Sequence, residues 1–169
     1  MQKLSYDFFK RDCLEVAPEL IGKIISRRFE DGTERRLRIT ETEAYRGEED
    51  SACHARAGKT KRTIQLYRES GVIYVYLCYG VHWMLNIVTG EKENPQAVLI
   101  RACENYNGPG KLTKQLGITG RFNGGDIVSN PCLSIEDDGS RFNVATGKRV
   151  GINYADEADR NRLWRFILK

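Results

Sequence analysis

Residues 39–54 read ITETEAYRGEEDSACH, a segment that begins as a strand and ends as a polar loop. Alternation along a strand puts every second side chain on one face, here Leu37, Ile39, Glu41, Glu43 and Tyr45. Because the first two are apolar, this face is predicted to look into the core, and Glu43 lies where it runs out toward the loop. Partial burial raises the pKa of a carboxyl and makes it a better general base. The alternative is structural: Glu43 caps the strand or pairs with a nearby arginine.

The surrounding pattern predicts an antiparallel sheet. Two strand-like runs, residues 23–30 and 34–45, flank Asp31-Gly32, a strong hairpin signal. Three runs rich in branched and aromatic residues, GVIYVYLCYG, VHWMLNIVTG and QAVLIRACE, predict three consecutive antiparallel strands. The expected fold class is α+β: a single domain over residues 1–169 with a curved antiparallel β-sheet core and several short helices.

Turn and capping residues place the helices. Asp7 or Asp12 is suited to cap a short helix that stops at Pro18. A second short helix is predicted near residues 63–67. A third follows Gly108-Pro109-Gly110 and covers KLTKQLGI.

Composition indicates an ordinary soluble globule. Apolar residues make up 40% and charged residues 30% of the 169 positions. No apolar run approaches the roughly 20 residues that span a bilayer, and the first residues contain no apolar segment typical of a signal peptide. We therefore expect a cytoplasmic protein without a membrane partner.

The cysteines and histidines argue against a metal centre. The five cysteines are widely spaced without a C-x-x-C pair, and there are only two histidines. An odd number of cysteines cannot pair completely, which favours a reducing compartment. No metal and no cofactor is expected, and a zinc-dependent base deaminase is disfavoured because its paired-cysteine motif is missing.

Basic residues are unevenly distributed. A cluster follows His54, with no acidic residue among them: Arg56, Lys59, Lys61, Arg62 and Arg68. Such a cluster suits phosphate contacts. The alternative is a solvated face that pairs with the acidic loop of residues 48–50.

A second basic site is predicted at the start of the third helix. Lys111 and Lys114 lie there, where free backbone N–H groups favour an anion such as a DNA phosphate. A plain loop-to-helix turn is the alternative.

Three tyrosines fall within six residues: Tyr74, Tyr76 and Tyr79. The first two share a strand face, and flat aromatic rings stack on nucleobases at roughly 1–3 kcal/mol each. Tyr79 lies at a turn, where an aromatic ring can act as a wedge between base pairs. Arg101 has the parity of inward-facing residues and needs a carboxylate or a ligand, for which Glu43 is the obvious candidate.

The combined motifs resemble a known family over nearly the whole chain. They occur in this order: ETEAY, D-x-x-x-H (residues 50–54), YVYLCYG, LN (85–86), LIRACE, GPGKL and RVGIN. This pattern is similar to the alkyladenine DNA glycosylases, also called 3-methyladenine or methylpurine DNA glycosylases. The pairing of ETEAY with YVYxxYG is the most specific part of the resemblance.

The resemblance implies a role for each matching residue. Glu43 corresponds to the general base that activates water, and Arg101, with the backbone carbonyl of Ile152, to the group that holds that water. The implied pocket residues are Tyr45, His54, Tyr76, Asn86, Leu99 and Ile152, among which Asn86 rejects guanine by a clash with its exocyclic amine. Tyr79 corresponds to the wedge in the duplex, and the residues expected to contact DNA beside it are Arg56, Lys59, Arg62 and Lys111.

The implied function is a monofunctional DNA glycosylase that acts as a monomer on duplex DNA containing damaged purines. It would flip 3-methyladenine, 7-methylguanine, ethenoadenine or hypoxanthine out of the duplex and hydrolyse the N-glycosidic bond, which starts base excision repair. A non-catalytic nucleic-acid-binding module is the main alternative, because the aromatic and basic features serve it equally well. A nucleosidase that acts on free nucleosides is a third possibility.

Overall fold

A hairpin around Asp31-Gly32 forms the centre of the sheet. The computed structural model describes residues 1–169, and in it strand β2 (Ile24–Arg28) pairs antiparallel with strand β3 (Glu34–Arg46). Asp31 accepts hydrogen bonds from both the backbone N–H and the hydroxyl of Thr33, and Gly32 takes a positive φ of 83°. The side chain of an Asx turn and the freedom of glycine thus close the loop. The predicted hairpin is confirmed.

Ten strands form one open antiparallel sheet with four short α-helices around it. The remaining strands are β1 (Gln2–Lys3), β4 (Ile73–Cys78), β5 (His82–Val88), β6 (Gln96–Cys103), β7 (Tyr106–Asn107), β8 (Leu133–Asp137), β9 (Val144–Gly147) and β10 (Arg165–Leu168). The order is β1-β8-β2-β3-β6-β5-β4, and β10 extends the sheet by pairing with β3 and β9, while β7 pairs with β6. The predicted α+β class and the β4–β5–β6 meander are confirmed.

The helices are α1 (Tyr6–Phe9), α2 (Cys13–Glu19), α3 (Pro109–Gln115) and α4 (Glu157–Asn161), and 3₁₀ turns cover His54–Ala57, Ile64–Tyr67 and Gly120–Phe122. Asp12 caps α2 by accepting the N–H of Leu14 at 2.9 Å. The prediction that this helix stops at Pro18 is wrong by one residue, because α2 includes Pro18 and ends at Glu19. No helix in the chain has the length and apolar character to cross a bilayer.

A β-bulge in β3 decides which way Glu43 points. Strict alternation would put Ile39 and Ala44 on opposite faces, yet both pack in the same core cluster. The register with β6 shifts on both sides of Glu41, so side chains in the second half of β3 point to the face opposite to the one that strict alternation predicts. The prediction that Ile39 and Glu43 share a face is therefore wrong. Ile39 faces the main core, and Glu43 faces the other side of the sheet together with Tyr45.

Apolar side chains cover both faces of the sheet. The larger cluster contains 25 buried residues and includes the inner faces of α1, α2 and α3. A smaller cluster of eight buried residues lies on the other face, and Tyr45 and Tyr76 pack against it. The bulge thus delivers a carboxylate to the side of the sheet that carries the tyrosines.

Candidate active site

A cavity of about 550 Å³ opens beside the aromatic side of strands β4, β5 and β6. Its walls come from β3, these three strands and two loops, residues 52–54 and 150–154. All six predicted pocket residues line it: Tyr45, His54, Tyr76, Asn86, Leu99 and Ile152. Arg62, Tyr79 and Arg101 line it as well. Residues from distant parts of the chain are therefore brought to one concave surface.

Glu43 lies immediately behind the wall of this cavity, and its side chain has no exposed surface. Oε2 accepts the hydroxyl hydrogen bond of Tyr45 at 2.7 Å, and Oε1 accepts the backbone N–H of Val150 at 2.8 Å. Both donors belong to cavity-lining residues, so the carboxylate is enclosed by polar groups of the wall. The carboxylate itself does not line the cavity.

Burial raises the pKa of the Glu43 carboxyl, and the charge of Arg101 and the two hydrogen bonds offset this only in part. The expected upward shift is thus confirmed in direction. Burial and the neighbouring carboxylate keep the pKa of the Tyr45 phenol well above its usual range. Tyr45 therefore stays protonated and acts as the donor in this pair.

Arg101 is the charge partner of Glu43. Its Nε lies 3.4 Å from Oε1 of Glu43 and 3.9 Å from Oε2 of Glu41. The predicted inward orientation and the predicted ion pair are both confirmed. Because the guanidinium is only partly buried and lines the cavity, it is in position to contact a bound molecule as well as the carboxylate.

His54 and two tyrosines form the aromatic wall. The ring centroids of His54 and Tyr76 are 4.5 Å apart in an edge-to-face arrangement, and Tyr74 lies 5.4 Å from Tyr76. The Nδ1 of His54 is hydrogen bonded to the hydroxyl of Tyr74 at 3.0 Å. Burial, together with the positive charge of Arg62, lowers the pKa of His54 to about 4. The imidazole is therefore neutral at physiological pH.

Asn86 lies in the wall of the cavity, and Tyr79 lies at its exposed edge. The amide nitrogen of Asn86 donates to the carbonyls of Tyr74 and Met84, at 3.1 and 3.4 Å, and its amide oxygen makes no hydrogen bond within the protein. Tyr79 is 91% exposed at the β4–β5 turn and has a positive φ of 51°. A bulky residue in this left-handed region is rare and strained, which is typical of functional positions.

Comparison with known proteins finds relatives over nearly the whole chain. The family described as Methylpurine-DNA glycosylase (MPG) matches residues 7–107 and 104–169. A protein of Borreliella burgdorferi (strain ZS7) is 47% identical, with 96% of this chain and 94% of that protein covered. Relatives in Desulfitobacterium hafniense (strain Y51; 40% identical, 100% and 96% covered) and Natranaerobius thermophilus (38%, 99% and 96%) carry the same name, "Putative 3-methyladenine DNA glycosylase".

The chain belongs to the methylpurine-DNA glycosylase family. The resemblance inferred from ETEAY and YVYLCYG is therefore confirmed, and with it the assignment of the chain to a family of DNA repair enzymes. The matches cover the whole cavity wall, from Tyr45 to Tyr154.

The predicted DNA-contacting cations of this methylpurine-DNA glycosylase family member are unequally available. Arg56, Arg62 and Lys111 are exposed, and none has a carboxylate within 4.0 Å. Lys59 instead pairs with Glu93 at 2.8 Å, an exposed ion pair of the kind worth about 0–1 kcal/mol. The α3 helix that carries Lys111 has only seven residues.

The acidic loop does not pair with the basic cluster, so that part of the alternative is wrong, whereas the solvated face agrees with the exposure of all five cations. Asp50 is fully buried and forms a bidentate pair with the equally buried Arg149, at 2.6 and 2.9 Å. Glu48 accepts a hydrogen bond from the hydroxyl of Tyr67 at 2.6 Å. The free cations therefore remain available on this face of the glycosylase.

The residues that hold the loops of the site in place in this family member were not predicted from the sequence. Arg149 lies 4.8 Å from the ring of Tyr45 and 5.0 Å from that of Trp164, and it donates to the carbonyl of Ala44 at 3.0 Å. It thereby holds the loop that supplies the Val150 N–H to Glu43. Tyr154 adds a second tie, since its hydroxyl donates to the carbonyl of Ala52 at 2.7 Å. The RVGIN motif marks this loop, but nothing in it shows that its arginine is buried.

Proposed function

We propose that this protein is a monofunctional glycosylase that removes alkylated or deaminated purines from duplex DNA by hydrolysis of the N-glycosidic bond. The substrates proposed are 3-methyladenine, 7-methylguanine, ethenoadenine and hypoxanthine. The observation that carries the proposal is the buried Glu43 carboxylate behind the aromatic cavity, with its raised pKa and its contact to Arg101. A binding module has no use for such an acid, which repels phosphate.

The shape of the cavity supports base flipping. A purine that stays stacked in the duplex cannot reach a concave pocket, so the target nucleotide has to leave the helix at a cost of a few kcal/mol. Stacking against Tyr45 and Tyr76 returns roughly 1–3 kcal/mol per ring. The side chain of Asn86 lines this pocket and is proposed to disfavour guanine by a clash with its exocyclic amine, whereas 7-methylguanine is cleaved because its positive charge makes it a good leaving group.

Glu43 serves as the general base in this proposal. The sugar gains positive charge as the bond to the base breaks, and a nearby carboxylate both stabilises that charge and takes a proton from the attacking water. Arg101 and the Ile152 carbonyl, which also accepts the N–H of Ala155 at 2.9 Å, are the proposed partners of that water. Because Glu43 has no exposed surface behind Tyr45 and Val150, a water molecule reaches the free lone pairs of its oxygens only if this wall opens locally.

The exposed rim supplies the proposed DNA contacts. Tyr79 acts as the wedge, and Arg56, Arg62 and Lys111 bind phosphates directly, whereas Lys59 must exchange Glu93 for a phosphate. Residues 1–169 act as one domain and as a monomer, because the cavity wall is completed within one chain. With DNA as its substrate, the enzyme works in the cytoplasm, at the nucleoid if the organism is bacterial.

An oligonucleotide assay tests the proposal. Duplexes with a single hypoxanthine or 7-methylguanine are incubated with the protein and then treated with alkali, which cleaves the strand at an abasic site. We expect cleavage with wild-type protein and a loss of about 10²–10⁴-fold with Glu43→Gln, the usual range for a general base. Glu41→Gln is the matched control, because Glu41 lies on the same strand near Arg101 but accepts no hydrogen bond from the wall residues Tyr45 and Val150.

Four results would contradict the proposal. Binding without cleavage by the wild type favours the non-catalytic module, and equal activity on free nucleosides favours a nucleosidase. Full activity of Glu43→Gln removes Glu43 as the base. A covalent adduct trapped with borohydride would show a lysine nucleophile and end the monofunctional assignment.

A further inference from the structure

Arg62 occupies a position that a nucleic-acid-binding arginine does not need. Its guanidinium carbon lies 5.4 Å from the ring centroid of Tyr76, within the range of a cation–π contact, and the residue lines the base cavity. No carboxylate lies within 4.0 Å of it, so its positive charge is not neutralised inside the protein. The free protein therefore carries an unpaired cation in the aromatic part of the pocket.

The charge of Arg62 affects the pKa values of neighbouring pocket residues. It contributes to the lowered pKa of His54, after burial, and it lowers the pKa of Tyr74, which burial raises to about 12. Both residues belong to the wall that flanks Tyr76. A field that disfavours the imidazolium form of His54 also disfavours a positively charged ring at the same wall.

We propose that Arg62 makes the pocket discriminate between damaged purines by their charge. This inference rests on the glycosylase function proposed above. A cationic base such as 7-methylguanine that stacks on Tyr76 has to displace Arg62 or lie next to its charge. A neutral base such as hypoxanthine stacks without that repulsion. Arg62 is thus a specificity-determining residue in addition to a phosphate-binding one.

The test is a ratio of rates, because a ratio removes the effect of phosphate contacts. Single-turnover excision is measured on two duplexes of the same sequence, one with 7-methylguanine and one with hypoxanthine. We expect Arg62→Gln to raise the 7-methylguanine to hypoxanthine ratio about three- to tenfold, since an exposed cation–π contact and a screened repulsion are each worth a factor of a few. Arg62→Lys keeps the charge and is expected to keep the ratio near that of the wild type.

Lys61→Gln is the matched control. Lys61 is the exposed neighbour of Arg62 and carries the same charge, but it does not line the cavity. It is expected to slow both lesions equally and leave the ratio unchanged. An unchanged ratio in Arg62→Gln, or the same rise in Lys61→Gln, would overturn the proposal. If the wild type excises neither lesion, the proposed function fails, which is a different result from an unchanged ratio.

Discussion

The Glu43→Gln substitution links the stability of the protein to its proposed general base. Glu43 is fully buried and its pKa is raised in the folded state, so the folded protein binds this proton more tightly than the unfolded chain does. Its contribution to stability is therefore complete below the unfolded pKa of about 4.3 and is lost as the pH rises through the folded pKa. Glutamine does not titrate and lacks this dependence.

The expected size follows from the linkage relation. Between the unfolded and folded pKa values, the free energy of unfolding of the wild type should fall relative to that of Glu43→Gln by about 1.4 kcal/mol for each pH unit. Above the folded pKa the difference should be constant. Urea unfolding of both variants at closely spaced pH values between 4 and 8 measures it, with Glu41→Gln as the control for loss of a partly exposed carboxylate on the same strand.

Catalysis provides an independent measurement of the same pKa. A general base works only when deprotonated, so the single-turnover rate of the wild type should rise through this pH range and level off where the stability difference levels off. Coincidence of the two midpoints is the expected outcome. A stability difference that grows in favour of the wild type as the pH rises would show that Arg101 and the two hydrogen bonds outweigh burial. Glu43 would then be an ordinary structural ion pair, and the reasoning for a base would be refuted.

Three further outcomes are expected. Tyr45→Phe removes a hydrogen bond that lowers the pKa of Glu43, so this pKa should rise. As the pH falls, excision by this variant should therefore be lost at a higher pH than excision by the wild type, which a pH–rate profile measures. Arg149→Met leaves the buried Asp50 charge unpaired and should lower the free energy of unfolding by about 3–5 kcal/mol, measured in urea, with partial recovery when Asp50→Asn is added. Tyr79→Ala should weaken binding to lesion-containing duplexes more than to single strands in a fluorescence-anisotropy titration, and equal losses would remove the wedge interpretation.

The features that were predicted correctly from the sequence are those that local chemistry determines. Asp31-Gly32 encodes its own turn, and the branched and aromatic runs form strands because they fit a half-buried pleated surface. Arg101 and Glu43 were paired correctly because a buried charge needs a partner. The family motifs then supplied the pocket residues, all of which reach one cavity.

Long-range packing sets the features that the sequence did not reveal. The bulge at Glu41 depends on the pairing of β3 with β6, so alternation gave the wrong face for Glu43. The Asp50–Arg149 pair joins residues 99 positions apart, and no local pattern shows that both are buried. Lys59 looked like a free phosphate ligand because its partner, Glu93, lies 34 residues further along the chain.

The strained backbone of Tyr79 distinguishes the β4–β5 turn from the wall around Glu43. A left-handed conformation costs an L-residue roughly 1–2 kcal/mol, and the two-residue turn of Tyr79 and Gly80, closed by the N–H of Val81 on the carbonyl of Cys78 at 3.1 Å, explains that conformation but not an aromatic side chain that is 91% exposed. The Glu43 wall differs, because each of its strained or desolvated groups is held by a partner such as Tyr45 or Arg149. Asn or Gly would form the same turn at lower cost, so an exposed aromatic ring at this tip is expected if the ring makes contacts outside the chain. We therefore interpret the β4–β5 turn as built for the bound duplex, and the wall around Glu43 as held in its closed form by contacts within the protein.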